Sequence, residues 1–265
     1  MCLFIQFLIF IIVIEKVKLS KLELGHLLQN ENIRNTWPKS MLKHCLSPSI
    51  PSTKKGLNCL IHQSGYEQLF VEILNKNPPI IRLPLFLGEK QLNKIVEKFD
   101  KSSNIESMGV EGLIYNNGHR GREADDFLIL SYKKFGHYAP HFDHLDPMPV
   151  EYDDGWFKYF GNRLATALLI VQTAKGSFTT FPNLNLTIEP EKGDLLLWLN
   201  SNSNGIKELN ALHAACPIIE GRKIANSLKC SLKHPSYEPE GLIRRLFYIS
   251  EELRERPEIP SWIIK

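Results

Sequence analysis

His141 and Asp143 stand two positions apart in His141-Phe142-Asp143, and together they offer a metal ion an imidazole and a carboxylate. In an extended strand, residues i and i+2 point to the same side, so both groups would project together while Pro140 and Phe142 face away. A second histidine opens another apolar run, Leu212-His213-Ala214-Ala215-Cys216-Pro217. Two imidazoles and one carboxylate cover one face of a ferrous ion and leave positions open for a substrate, a cosubstrate and oxygen. Lys223 follows the turn residues Glu220-Gly221-Arg222, and a hairpin there would return it close to His213. A lysine so placed suits the far carboxylate of a 2-oxo acid that chelates the metal. The set points to oxygenase chemistry.

These groups need rigid strands to hold them. The second half of the chain supplies short apolar runs between turn signals. Residues 127–132, 165–172, 195–199, 213–219 and 223–232 all read as strands. The turns between them contain Asn183-Leu184-Asn185, Lys192-Gly193-Asp194, Asn200 to Gly205 and Glu220-Gly221. Upstream, Pro78 to Leu83 reads as a strand, and Leu87 to Phe99 as a helix with Leu92, Ile95, Val96 and Phe99 at helical spacing. Gly118 to Asp126 reads as a mobile polar loop. Helical segments first and strands later imply an α+β fold, with helices supporting a β-sandwich or double-stranded jelly roll.

At 265 residues the chain has room for one sizeable core plus a short extension. The net charge of +3, with no Lys/Arg block, gives no footprint for nucleic acid. Cys2 to Ile14 is apolar except for Gln6, and is shorter than the roughly 20 residues that span a bilayer. It fits a signal peptide, with an uncleaved anchor or a buried segment as the other readings. Residues 1–20 are therefore assigned as signal or anchor, 21–65 as a short leader of helix or loop, and 66–265 as the main domain. A secretory route would expose the cysteines to oxidation. Without Cys2 four remain, Cys45, Cys59, Cys216 and Cys230, and sequence permits three pairings of them.

The surroundings of the ligand residues carry a resemblance. Tyr132-Lys133-Lys134-Phe135-Gly136-His137-Tyr138-Ala139-Pro140-His141-Phe142-Asp143 resembles the first metal-binding motif of prolyl 4-hydroxylases. Gly161-Asn162-Arg163-Leu164-Ala165-Thr166, Thr179-Thr180-Phe181-Pro182, Pro190-Glu191-Lys192-Gly193-Asp194, His213-Ala214-Ala215-Cys216-Pro217 and Gly221-Arg222-Lys223 continue in the order of that family. The resemblance spans about residues 66–234 and is nearest to the catalytic region of animal collagen prolyl 4-hydroxylase α subunits.

That resemblance implies a double-stranded β-helix and a reaction. Fe(II) would be held by His141, Asp143 and His213, and 2-oxoglutarate by Lys223, Tyr132 and Thr179. Oxygen and ascorbate would complete the cofactor set. Tyr138 and Arg163 match positions that face the peptide. The implied substrate is proline in secretory, collagen-like polypeptides, the implied site of action is the endoplasmic reticulum lumen, and protein disulfide isomerase is the implied partner. Membrane contact would arise only through an uncleaved N-terminal segment. A Cys45–Cys59 disulfide is implied as well. Three positions depart from the family pattern: Ser177 replaces a glycine, and Ile224 and Lys229 stand where tryptophans are common. They are the residues that favour a rival reading, a catalytically silent jelly-roll binding protein. Action on another substrate is a further alternative.

Overall fold

A computed structural model describes residues 24–49, 59–64, 67–101, 106–108, 112–116, 128–146, 161–202 and 205–232. The expected signal segment and the loop at 118–126 lie outside the described residues. Two antiparallel sheets form the body. The larger contains β1 (Cys59–Ser64), β2 (Glu67–Lys76), β3 (Pro79–Leu83), β4 (Glu106–Met108), β5 (Gly112–Asn116), β6 (Leu128–Tyr132), β8 (Asn162–Gln172), β11 (Leu195–Leu199) and β13 (Lys223–Leu232). Their order across the sheet is β1-β2-β3-β11-β8-β13-β6-β5-β4. The smaller sheet orders β10 (Leu186–Ile188), β9 (Thr179–Phe181), β12 (His213–Ala215) and β7 (Tyr138–His141). From β6 to β13 the chain passes repeatedly from one sheet to the other, the winding that a jelly roll uses.

Strand β11 shows why the sheets stack as they do. Its sequence, Leu-Leu-Leu-Trp-Leu, is apolar throughout because both faces are covered. Leu196 and Trp198 point into the space between the sheets, with Leu168, Ile170, Phe181, Leu186 and Ile188. Leu195 and Leu197 point the other way, toward Leu92 and Phe99. Those two belong to α3 (Glu89–Asp100), which also turns Ile95 and Val96 onto the larger sheet. Full burial of each such side chain contributes roughly 1.5–3 kcal/mol before the entropy of ordering is subtracted.

The leader backs the smaller sheet. Two short helices, α1 (Glu31–Thr36) and α2 (Lys39–Leu42), bring Ile33 and Leu42 against Phe178 and Ala214. Asn30 caps α1 by accepting from the Ile33 amide at 3.2 Å. Cys45 follows α2 and is bonded to Cys216, one residue beyond β12. The implied Cys45–Cys59 pair is therefore not formed, and Cys59 is an exposed free thiol on β1. The reason is topological. Packing of the leader on β12 carries Cys45 to the smaller sheet, whereas Cys59 begins the outermost strand of the larger one.

Further differences concern strands. Residues 59–64, expected in the helix or loop leader, pair with β2. The expected strand at 213–219 stops at Ala215. Lys223 does not return by a hairpin beside His213, because β12 and β13 belong to different sheets. The chain crosses the sandwich between them, so His213 and Lys223 approach the interior from opposite walls.

The turn before β11 has no space for a side chain. Gly193 has φ +95°, and a Cβ there would fall 2.6 Å from the Leu87 carbonyl oxygen. Neighbouring Asp194 is fully buried and accepts from Arg82 Nε and the Glu191 amide, both at 2.8 Å. Gly193→Ala is expected to cost about 1–3 kcal/mol, a strained-backbone penalty measurable by chemical denaturation.

Candidate metal centre and its pocket

Antiparallel pairing of β12 with β7 sets His213 directly opposite His141. Their ring centroids lie 4.3 Å apart. Each ring is oriented by its own chain: His141 Nδ1 bonds the Ala139 carbonyl at 2.8 Å, and His213 Nδ1 bonds the Ala211 carbonyl at 3.0 Å. Both Nε2 atoms are thereby turned toward Asp143. His141 Nε2 is 3.7 Å from Asp143 Oδ1, and His213 Nε2 is 3.6 Å from Oδ2. Asp143 reaches this place from the bend just after β7 rather than from the strand itself. The three ligand atoms all lie within 4.8 Å of one another.

Burial fixes the protonation states. His141 is pushed down to about 3 by burial, with His213 adding to the shift. His213 is lowered mainly by burial. Both imidazoles are therefore neutral at physiological pH, the form that binds metal. Burial opposes ionisation of Asp143, but His213, Lys229 and His141 outweigh it and hold the carboxyl below its usual range. Thr166, on β8, donates to Oδ2 at 2.6 Å and itself accepts from Asn200 at 2.9 Å. Oδ1 is buried without an aligned hydrogen bond. A neutral His pair and an ionised carboxylate turned toward one another fit a divalent cation.

The pocket beside these groups spans about 640 Å³, part of it open solvent. Lys223, Ala225, Ser227 and Lys229 line it from alternate positions of β13. Tyr132, Tyr138, Thr179 and Trp198 line it too. Lys223 is only 1% exposed, and its ammonium donates to the Ser177 carbonyl at 3.2 Å. Among the described residues no carboxylate is paired with it. Burial pushes it down to about 8. The folded chain thus binds this proton less tightly than the unfolded chain. The resulting penalty is full below pH 8 and fades as pH rises toward 10.5. Thr179 Oγ1 is likewise buried, with no hydrogen-bond partner among the described residues.

Other expected residues fall differently. Tyr132 sits opposite Lys223 in the β6–β13 register, and burial raises its hydroxyl pKa. Tyr138 packs 4.0 Å from His141, centroid to centroid. Arg163 is not among the lining residues, although its charge offsets part of the burial-driven rise at Tyr138. His137 leaves the site altogether and meets Thr36 Oγ1 at 3.0 Å. Of the departures, Ile224 faces α3 and is fully buried, so it does not touch the pocket. Ser177 contributes its backbone carbonyl to Lys223. Lys229 faces inward, with Nζ 2.8 Å from Asp143 Oδ1.

Sequence reasoning gave no role to Thr166, Asn200 or Trp198. Trp198 packs 4.7 Å from His213. Thr166 stood within a quoted motif, and its period-2 position on β8, shared with Leu168, was the available signal. Thr166→Val is expected to cost the metal-free protein about 1.5–3 kcal/mol, the range for a hydrogen bond to a charged group, read from denaturant midpoints.

No family model matches the chain. A segment of 114 residues is 34% identical to probable prolyl 4-hydroxylase 6 of Arabidopsis thaliana, covering 36% of this chain and 38% of that protein. Another match, over 103 residues, is 35% identical to prolyl 4-hydroxylase subunit alpha-2 of Caenorhabditis elegans, covering 38% of this chain and 18% of that protein. The chain thus spans well under half the length of these relatives. Among solved structures, the 2OG complex of viral collagen prolyl hydroxylase from Paramecium Bursaria Chlorella virus-1 aligns with TM-score 0.45 and 18% identity, covering 57% of this chain and 94% of that one. Over the matched segments, this chain is similar to prolyl 4-hydroxylases.

Proposed function

We propose that this protein is an Fe(II)- and 2-oxoglutarate-dependent dioxygenase that 4-hydroxylates proline in secretory, collagen-like polypeptides. The observation that carries the reading is Lys223, a buried cation whose partner among the described residues is a carbonyl, in the same pocket as His141, Asp143 and His213. A buried charge without a counter-ion is costly, and a ligand carboxylate would remove that cost. Similarity to the plant and nematode proteins over the matched segments supports proline as the residue modified.

The residues divide the work. His141, Asp143 and His213 would hold the iron, which when bound supplies oxygen activation coupled to decarboxylation of 2-oxoglutarate to succinate and CO2. Lys223 would take the distal carboxylate, with Thr179 Oγ1 and the Tyr132 hydroxyl beside it. Thr166 keeps Asp143 in one orientation while the site fills. Leu128, Leu130, Leu168 and Trp198 line the same space and limit the water in it. Tyr138, nearer the solvent than Tyr132, would meet the peptide, and Arg163 would be a further peptide contact. Ascorbate would restore iron oxidised in unproductive cycles.

The apolar segment Cys2 to Ile14 and the Cys45–Cys216 bond support a route through the endoplasmic reticulum, where disulfides persist. Association with protein disulfide isomerase belongs to the same reading. A second reading, ligand binding without turnover, is favoured by one observation, the ammonium of Lys229 against Asp143.

With Fe(II), ascorbate, oxygen, 2-oxoglutarate and a proline-rich peptide, purified protein is expected to form succinate and add one oxygen atom to proline, detected by mass spectrometry. His213→Ala should abolish both. Binding of iron and 2-oxoglutarate without succinate formation would overturn the catalytic reading in favour of the second. Affinity for 2-oxoglutarate should fall as pH rises through about 8, because the free pocket loses the Lys223 charge there. Titration calorimetry across pH 7–10 in buffers of different ionisation enthalpy would show proton uptake above that pH.

A further inference from the structure

Lys229 is the second cation of the pocket, and its position differs in kind from that of Lys223. Both side chains leave the same face of β13, with the small residues Ala225 and Ser227 between them. Among the described residues, Lys223 faces no acid. Lys229 stands 2.8 Å from Asp143 Oδ1, and its side chain is 14% exposed. That same oxygen lies 3.7 Å from His141 Nε2. Lys229 is thus the ammonium that stands against the carboxylate of the His141, Asp143 and His213 cluster.

This placement has two consequences. Without a metal, the buried Asp143 carboxylate lies between the two imidazoles and the Thr166 hydroxyl. Lys229 supplies a counter-charge 2.8 Å from Oδ1 and so holds Asp143 in place beside both histidines. An incoming divalent cation must then share Asp143 with an ammonium. Like charges at one carboxylate, in a pocket largely shielded from water, repel far more strongly than on the surface.

We propose that Lys229 is a positioning residue that acts as the resident counter-ion of the metal site: it preassembles His141, Asp143 and His213 in the metal-free protein and weakens the site's hold on a divalent cation. The proposal rests on the metal-centre reading given above. It identifies the Lys229 charge as the determinant of how easily the site gives up its metal, and therefore of how much of the protein is loaded when metal is scarce. A purely structural lysine would affect stability and leave metal affinity alone.

Titrating Co(II) into the full chain, followed by calorimetry and by the visible absorption of the bound ion, tests this. Lys229→Met is expected to bind Co(II) at least tenfold more tightly and to unfold at a lower temperature when metal-free. Lys229→Arg should keep both properties near the original. The loss of stability should vanish when Asp143→Asn is combined with Lys229→Met, since the charge being neutralised is gone. Lys229→Gln gives the same comparison should the methionine variant fail to fold. Unchanged or weaker Co(II) binding in both neutral variants would overturn the proposal while leaving the metal centre standing. No Co(II) binding by the original chain or any variant would overturn the metal-centre reading and this proposal with it.

Discussion

The pairing of β7 with β12 puts His141 directly opposite His213, and the site depends on that register. A slip of one residue would turn one imidazole to the outer face, where the leader packs. Several features hold the register. Ala214, the neighbour of His213, is fully buried against the leader, so the strand cannot present its other face. The Cys45–Cys216 bond ties the end of β12 to that same leader. On the inner side, Trp198 and Phe181 pack against the His213 ring and leave it one orientation. The metal centre is thus specified by packing on both faces of a three-residue strand.

A second constraint is dryness. The space between the sheets is filled by Leu, Ile, Phe and Trp side chains, and the polar groups stand where that filling stops. Burial there keeps both imidazoles neutral and depresses Lys223, while the Lys229 ammonium stands beside the Asp143 carboxylate. The same low polarity therefore produces good metal ligands and a lysine in need of an anion. Electrostatics at the two ends of the β13 row then diverge, because one lysine has a carboxylate and the other a carbonyl.

Much of this was legible in the sequence because it depends on local pattern. Helix α3 followed from Leu92, Ile95, Val96 and Phe99, and β11 from an unbroken apolar run. The ligand residues stood out by type and order, and the surrounding motifs narrowed the chemistry. What was not legible depends on contacts between distant segments. The partner of Cys45 is set by leader packing on β12, which no spacing encodes. The crossing between β12 and β13 looks like a hairpin in sequence because a glycine turn joins two apolar runs. Strands β9 and β10, at three residues each, are too short to show a period. Lys229 was visible only as a departure from a family pattern. Its role emerged from a 2.8 Å contact with a residue far back in the chain.

The central claim is that one pocket joins a His–Asp–His metal site to a lysine awaiting a carboxylate. Anaerobic titration of 2-oxoglutarate into the Fe(II)-loaded protein tests it most directly, since bidentate chelation of ferrous iron by a 2-oxo acid produces a visible charge-transfer band. The account predicts a band that saturates at one equivalent, and a Lys223→Ala variant that needs at least tenfold more 2-oxoglutarate to reach it. No band, or a band formed equally well without the lysine, would contradict it.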